Sequence, residues 1–525
     1  MTTSTLTPYR SDLRPGRDGF AQLLRAEWTK FTTVRGWVIG VLAAALVTVL
    51  LGLVSTAGNN ATCNGQICHT TVPVGPGGEA VTDIFSFVHR PLDGNGSITV
   101  RVTSLTGGNT SPHPGGQGTA GLQPWSKAGI IIKENTRQGS AYAAIMVTGS
   151  HGVRMQYNYT GDTAGPAGTV STASPRWLRL ARSGDTITGY ASANGTAWTT
   201  VGTARLAGLS RAVQAGLFAT SPAYTQVTSQ RLLSTSSTSG GTLATAVFDH
   251  VSLHGSWPRG AWRASLIGGG PNAQYPVQIQ RGWYHQAGGR FTVSGSGDIA
   301  PAVAGAAGPG QTIERGLAGA WAGLIVLAVV GAMFITAEYR RGLIRTTLAA
   351  SPRRGRVLAA KAIVIGAVAF VAGLAGAATA VPLGQRLLRD NGNIVYPVTP
   401  LTEVRIVVGT AALLAVAAVL ALGLGAIVRR SAAAVAAIIV VIVVPYILAV
   451  PHVLSVGTAQ WLLRITPAAG FAIQQSIPQY PQVSNDYTPS NGYYPLAPWA
   501  GFAVLCCYAA VALGLAIVLL RRRDA

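Results

Sequence analysis

Residues 317–361 read LAGAWAGLIVLAVVGAMFITAEYRRGLIRTTLAASPRRGRVLAAK, an apolar run of membrane-crossing length followed by a strongly basic segment. Crossing a bilayer takes about 20 apolar residues, because in hydrocarbon every backbone group must be satisfied inside the helix. Residues 317–337 meet that requirement, and Arg340, Arg341, Arg345, Arg353, Arg354, Arg356 and Lys361 follow within the next two dozen positions. Working outward, five further stretches qualify: 37–54, 363–383, 404–428, 432–450 and 499–520. Six transmembrane helices are therefore expected. With 48% hydrophobic and 11% charged residues, the whole chain of 525 residues is too apolar for a soluble protein of this size.

Positive charge is translocated reluctantly, so its placement beside short loops sets the orientation. One side carries Arg10, Arg14, Arg17, Arg25, Lys30 and Arg35, the loop quoted above, Arg429 and Arg430, and Arg521, Arg522 and Arg523. Only Arg386, Arg389, Arg405 and Arg464 stand in the short segments of the opposite side. This bias predicts cytoplasmic termini, an extracellular region 55–316, a cytoplasmic loop 338–362, an extracellular loop 451–498 and a cytoplasmic tail 521–525. The first span reads as retained rather than cleaved, since a long polar leader, residues 1–36, precedes it. The net charge of +22 is spread between spans, with no aromatic stacking stretches beside it, which argues against nucleic-acid binding.

Gly366, Gly373, Gly376, Gly409, Gly423 and Gly425 crowd the third and fourth spans, the composition that lets helix backbones approach closely. Pro445 and Pro451 predict a hinge or a helix stop near the outer end of the fifth. No charged residue falls mid-span, so ion-coupled transport has no visible residues to use. No GxxxxGK[ST] phosphate loop occurs, so ATP and Mg, if used, belong to a partner, and this chain itself binds no cofactor and is not an enzyme. Cys63 and Cys68 predict a local disulfide if they lie outside the cytoplasm, with a zinc half-site as the weaker alternative. Cys506 and Cys507 sit inside an apolar span.

In the leader, Phe20, Leu23, Leu24, Trp28, Phe31 and Val34 recur at helical spacing, predicting an amphipathic interfacial helix, although Glu27 falls inside its apolar arc. The loop predicts a short helix over 338–350, then a restart at Ser351 and Pro352. That loop is either held at anionic headgroups or docked on a partner.

Three segments, LLRAEWTKFTTVRGW (23–37), EYRRGLIRTTLAASPRRGRVLAAKA (338–362) and WLLRITPAAGFAIQQSIPQYPQV (461–483), together resemble the ABC type 2 permeases of bacterial exporters. The resemblance implies a six-span permease of the bacterial plasma membrane that pairs with a second copy, as homodimer or heterodimer, and with cytoplasmic ATPase subunits. It also implies a connecting helix carrying Phe20, Leu24, Trp28 and Phe31. The ATPase-coupling region would hold Glu338, Tyr339, Arg340, Arg341, Arg345, Arg353 and Arg354.

Between the first two spans the pattern turns to period-two alternation, as in SITVRVTSL, AGIIIKEN, AYAAIMVT and RWLRLARSG, which predicts an antiparallel sandwich over about 81–253. Asn194-Gly195 marks a hairpin, and 256–316 reads as an irregular extension. The Ser/Thr-rich stretch 232–245 reads as a flexible excursion. The WLRL…GDTITGYASANGTAW pattern resembles concanavalin-like or laminin-G-like jelly rolls, several of which bind glycans. Trp125, Trp177, Tyr190 and Trp198 are either a glycan platform or sandwich core. Asp162, Asp185 and Asp249 are isolated, so a calcium site stays open without support from loop spacing, and paired glycosidase carboxylates are not identifiable. Apart from a permease, the remaining reading is a membrane-anchored glycan receptor or sensor.

Overall fold

The computed structural model describes residues 19–522 except 64–65, 68–71, 110–118, 232–233, 269–283, 306–309, 351–352, 450–453, 455 and 486. Among the described residues six helices are long and apolar enough to cross a membrane: Arg35–Ala57, Ile313–Arg340, Arg354–Asp390, Pro400–Val428, Ser431–Ala449 and Pro498–Arg522. The chain is a multi-pass membrane protein with a large β-sheet region.

We number the helices α1 (Phe20–Thr33), α2 (Arg35–Ala57), α3 (Ala320–Arg340), α4 (Leu343–Ala350), α5 (Arg354–Asp390) and α6 (Pro400–Val428), followed by α7 (Ser431–Ile438), α8 (Val444–Ala449), α9 (Val456–Ile465) and α10 (Pro498–Arg522). The anticipated glycines act at close crossings. A Cβ on Gly373 would stand 3.0 Å from Ala411 Cα, one on Gly425 would stand 3.1 Å from the Ala332 carbonyl, and one on Gly423 3.1 Å from Ala512 Cβ. Backbones this close leave no room for a side chain, so dispersion between helices replaces the hydrophobic drive that lipid cannot supply.

Three details differ from the sequence reading. The third span is 37 residues long, because its ends continue as amphipathic turns that a hydropathy window does not count; it tolerates Pro382 and includes Lys361. The loop helix does not start at residue 338: α3 runs on to Arg340, the backbone turns at Gly342 with φ +69°, and α4 follows. The fifth span is irregular before its proline, with a π-helical turn at Ile439–Val443 leading into α8, where Pro445 lies.

The segment 451–498 is more than a connecting loop. It holds α9 and a 3-10 helix, Pro467–Gln474, in which every residue is buried, with Phe471, Ala472 and Ile473 inside the bundle core. The expected Cys63–Cys68 disulfide falls on side chains outside the described residues; the backbone there pairs Thr62–Cys63 with Gln66–Ile67.

In chain order the described strands lie between α2 and α3, except Ile394–Val395, which follows α5 and pairs in parallel with Gly310–Gln311. One sheet runs Gly161–Ala164, Val153–Tyr157, Tyr142–Thr148, Lys127–Lys133, Ala212–Thr220, Phe85–Asp93, Arg263–Ile267. The other runs Thr199–Arg205, Thr186–Ser192, Arg176–Ser183, Gly96–Asn109, Thr242–Gly255, Arg290–Gly295, Tyr284–Ala287, with Thr119–Ala120 beside Gly96–Asn109. Ile130, Ile145 and Val147 of the first pack with Val100, Leu178 and Ile187 of the second in one core, as alternation requires. Thus the sheets extend to Gly295, past the anticipated limit of 253. The Ser/Thr-rich stretch is paired rather than free: Ser234–Gly240 forms a ribbon with Tyr224–Arg231.

Strands Lys127–Lys133 and Tyr142–Thr148 are buried on both faces. Their second face lies under Val81, Ile267 and Ile299, where the buried Lys133 ammonium donates to Asp83 Oδ2 (2.7 Å) and Tyr159 Oη (3.2 Å). Burial pulls the Lys133 ammonium below its usual value, with Asp83 opposing. Gln482 Nε2 reaches the Tyr159 carbonyl at 3.3 Å, and Tyr493 Oη accepts from the Ala304 amide at 2.9 Å. Through these bonds the β region stands directly on the segment before α10.

Candidate functional site

The α1 helix is amphipathic, but its two apolar edges have different surroundings. Leu23, Leu24 and Phe31 turn into the bundle, whereas Phe20 and Trp28 are exposed, Trp28 by 49%. Phe31 meets Phe334 edge-on at 5.5 Å and Trp37 at 5.9 Å, so the elbow between α1 and α2 is closed by aromatic packing.

Beside this packing lies a group of four charges that only folding brings together. Glu27, the acid inside the apolar arc, is fully buried, and so is Lys361. Lys361 Nζ donates to Glu27 Oε2 (2.6 Å) and Glu338 Oε1 (2.7 Å), and it stands 4.5 Å from the Phe334 ring centre. Lys30 Nζ donates to Glu27 Oε1 (2.8 Å) and Glu338 Oε1 (3.1 Å), with Thr347 Oγ1 of α4 at 3.4 Å. Burial works against the Lys30 charge, yet the hydrogen bonds and charges of the two glutamates outweigh it and hold its ammonium above the usual value. Two cations face two carboxylates, so the group is neutral as a whole and each charge has a partner. It ties α1, the end of α3, α4 and the start of α5 into one unit.

The residues expected to couple to a partner divide into two sets. Glu338 and Tyr339 face inward, the latter under the Arg429 guanidinium at 5.1 Å, and Arg354 donates to the Leu520 carbonyl at the end of α10. Arg340, Arg341 and Arg353 are exposed around α4; the side chain of Arg345 lies outside the described residues. Lys361 and its pairing escaped sequence reasoning because its partners stand 334 and 23 positions away. The one available signal was Glu27, an acid where the helix demands an apolar residue.

In the β region, Trp177, Tyr190 and Trp198 gather on the outer side of the sheet containing Arg176–Ser183. Arg179 stacks over Trp198 at 4.1 Å, Arg101 lies 5.7 Å from Trp177, and Arg179 is the register partner of Tyr190. Arg101 also donates twice to Asp249 at 2.7 Å, which holds that carboxyl below its usual range. Trp125 is elsewhere, 4% exposed and stacked on His151 at 3.9 Å.

The profile of a family described as ABC-2 family transporter protein matches residues 188–525. No curated protein matches the chain. Among solved structures, a functionally unknown protein from Saccharomyces cerevisiae is 16% identical, with 37% of this chain and 85% of that one covered at a TM-score of 0.23. The GH43 protein BlXynB from Bacillus licheniformis is 18% identical over 24% of each chain, TM-score 0.17. An Eqolisin-family peptidase, SCP-B, in a complex with a tripeptide, is 7% identical over 40% of this chain and 98% of that one, TM-score 0.23.

Proposed function

The chain belongs to the ABC-2 family of transporter proteins, and from that premise we propose that it is the permease subunit of an ATP-driven exporter in a bacterial plasma membrane. A separate cytoplasmic ATPase, holding ATP and Mg, docks on α4 and the exposed Arg340, Arg341 and Arg353. A second permease copy completes the path, against apolar rows such as Leu42, Leu46 and Leu50 of α2, which are exposed in the single chain. Both termini face the cytoplasm, and the β region, a jelly-roll sandwich of the concanavalin or laminin-G kind, stands outside.

The observation that carries this reading is the buried four-charge group. A push on α4 cannot be absorbed locally, because Glu338 and Lys361 bind the flanking helices to α1, and separating a buried pair costs about 3–5 kcal/mol. Displacement therefore passes into α3 and α5 as a rigid shift. The test is co-purification of a soluble ATPase with the full chain, lost on Arg340→Glu with Arg341→Glu. Full transport by the lone chain without ATP would overturn it.

A second reading, glycan recognition by the β region, is favoured by the shared face of Trp177, Tyr190 and Trp198, since sugar rings stack on aromatic faces. Glycan-array binding by the full chain that disappears in Trp177→Ala supports it; no binding removes it.

A further inference from the structure

At the end of the bundle that meets the β region, a cavity of about 480 Å³ opens between the end of α2, the start of α3, α8 and the segment before α10. Its volume lies in the range of small-molecule sites. Glu314, Arg315, Trp321, Tyr446, Gln474 and Tyr494 are among its lining residues.

Glu314 is 9% exposed. Its Oε1 accepts from the Ser476 amide at 3.3 Å, while Oε2 accepts from no donor among the described residues. No nitrogen of a described Lys, Arg or His lies within the 4.0 Å of an ion pair from it. Of the two nearby guanidiniums, Arg315 donates through Nη2 to Asn59 Oδ1 (3.2 Å) while its buried Nε has no partner among the described residues, and Arg405 donates to the Gln475 and Ile473 carbonyls (2.7 and 3.3 Å). Every carboxylate of the four-charge group has a cation at ion-pair distance, whereas the charge of Arg405 acts on Glu314 only from farther away. A desolvated acid without a counter-ion is costly, and such groups at membrane depth mark ligand paths.

Aromatic rings line the same cavity. Trp321 stacks on Phe471 at 3.7 Å and 9°, with Tyr446 on it at 3.7 Å. Tyr446 comes one turn after the π-helical Ile439–Val443, the kind of irregular turn that recurs at functional sites. A carboxylate and electron-rich rings lining one cavity suit an organic ammonium, the carboxylate by charge and the rings by cation–π attraction.

We propose that this cavity binds a monocationic organic ammonium whose charged nitrogen sits at Glu314 and whose apolar body lies against Trp321 and Tyr446. The inference rests on the permease reading for its meaning, as the substrate class met on the outer side of the path, but its test does not need transport. The full chain in nanodiscs, without ATPase or nucleotide, is titrated with benzyltrimethylammonium and with its uncharged isostere neopentylbenzene. The wild type should bind the cation at least about tenfold tighter, a charge-assisted difference. Glu314→Gln should collapse the preference to within about threefold, and Glu314→Asp should keep it. Equal affinity for both probes in the wild type, or a preference surviving in Glu314→Gln, overturns the proposal. If Glu314→Gln alters the melting profile, Tyr446→Leu replaces it: it removes an aromatic face but keeps an apolar contact, so it should lower the cation's affinity more than the isostere's, and an unchanged ratio of the two overturns the proposal. ATPase co-purification with the same variants is read separately, so loss of docking with intact ammonium binding falls on the permease reading alone.

Discussion

Replacing Lys361 by methionine removes one positive charge from between two carboxylates while keeping most of the side-chain volume. In the native bundle its Nζ lies 2.6 Å from Glu27 and 2.7 Å from Glu338, and neither Lys361 nor Glu27 has any exposed side-chain surface. After the change only Lys30, with 39% of its side chain exposed, faces both acids. Breaking a buried pair from one side costs about 3–5 kcal/mol, which at about 1.4 kcal/mol per decade is roughly 10² to 10⁴ in the opening equilibrium. The opening is local, since it is α1 that loses its tie. Hydrogen–deuterium exchange of the full chain in detergent should show the amides of Phe20–Thr33 accelerating by that factor while α6 stays unchanged. Adding Glu27→Gln and Glu338→Gln to Lys361→Met should return exchange to within about tenfold of the native rate, because no buried carboxylate then lacks its cation and the one charge left, Lys30, has 39% of its side chain exposed and can reach water. Exchange that does not respond to Lys361→Met, or a triple variant as open as the single one, would refute the reasoning.

The same logic applies in the β region. Asp83→Ala strands the buried Lys133 and should cost about 3–5 kcal/mol in a chemical melt followed by β-region tryptophan fluorescence, with Asp83→Leu plus Lys133→Met recovering most of it. Burial holds the His89 imidazole below its ordinary 6.5, with the Gln214 hydrogen bond opposing and Arg263 adding to the depression. The folded state thus takes up its proton later than the unfolded chain, so stability is full above pH 6.5 and falls as pH drops through the folded value; His89→Asn should flatten that slope in melts between pH 7.5 and 5. At the crossing of α2 with the turn before α3, a Cβ on Gly52 would stand 1.9 Å from the Gly316 carbonyl oxygen, so Gly52→Ala should lower the melting temperature by an overpacking cost of about 1–3 kcal/mol. By contrast Gly514→Ala in α10 meets nothing within 4 Å and should be neutral or stabilising by up to about 1 kcal/mol in the same assay.

What could be read in the sequence was whatever repeats locally. The apolar middles of the spans, the period-two strands around Ile130 and Leu178, and the stripe of α1 each bury one face by a rule of spacing. Tertiary pairing was not legible. Glu27 looked like a flaw in its helix until Lys361 came beside it, and Glu314 looked like the edge of an irregular extension because its cavity is assembled from segments more than a hundred residues apart. The ribbon Ser234–Gly240 has no hydrophobic alternation, so its pairing rests on backbone bonds alone. The fully buried Pro467–Gln474 was hidden by its proline and by small residues that read as a loop until Leu413 and Leu505 close on Gly470.

Two cysteines introduced singly into a chain whose own Cys63, Cys68, Cys506 and Cys507 have been replaced test the orientation on which everything else depends. One replaces the exposed Thr203 of the β region, the other the exposed Arg341 beside α4. In intact cells a membrane-impermeant maleimide should label position 203 at once and position 341 only after permeabilisation. Labelling of position 341 from outside, with position 203 protected, would contradict the account.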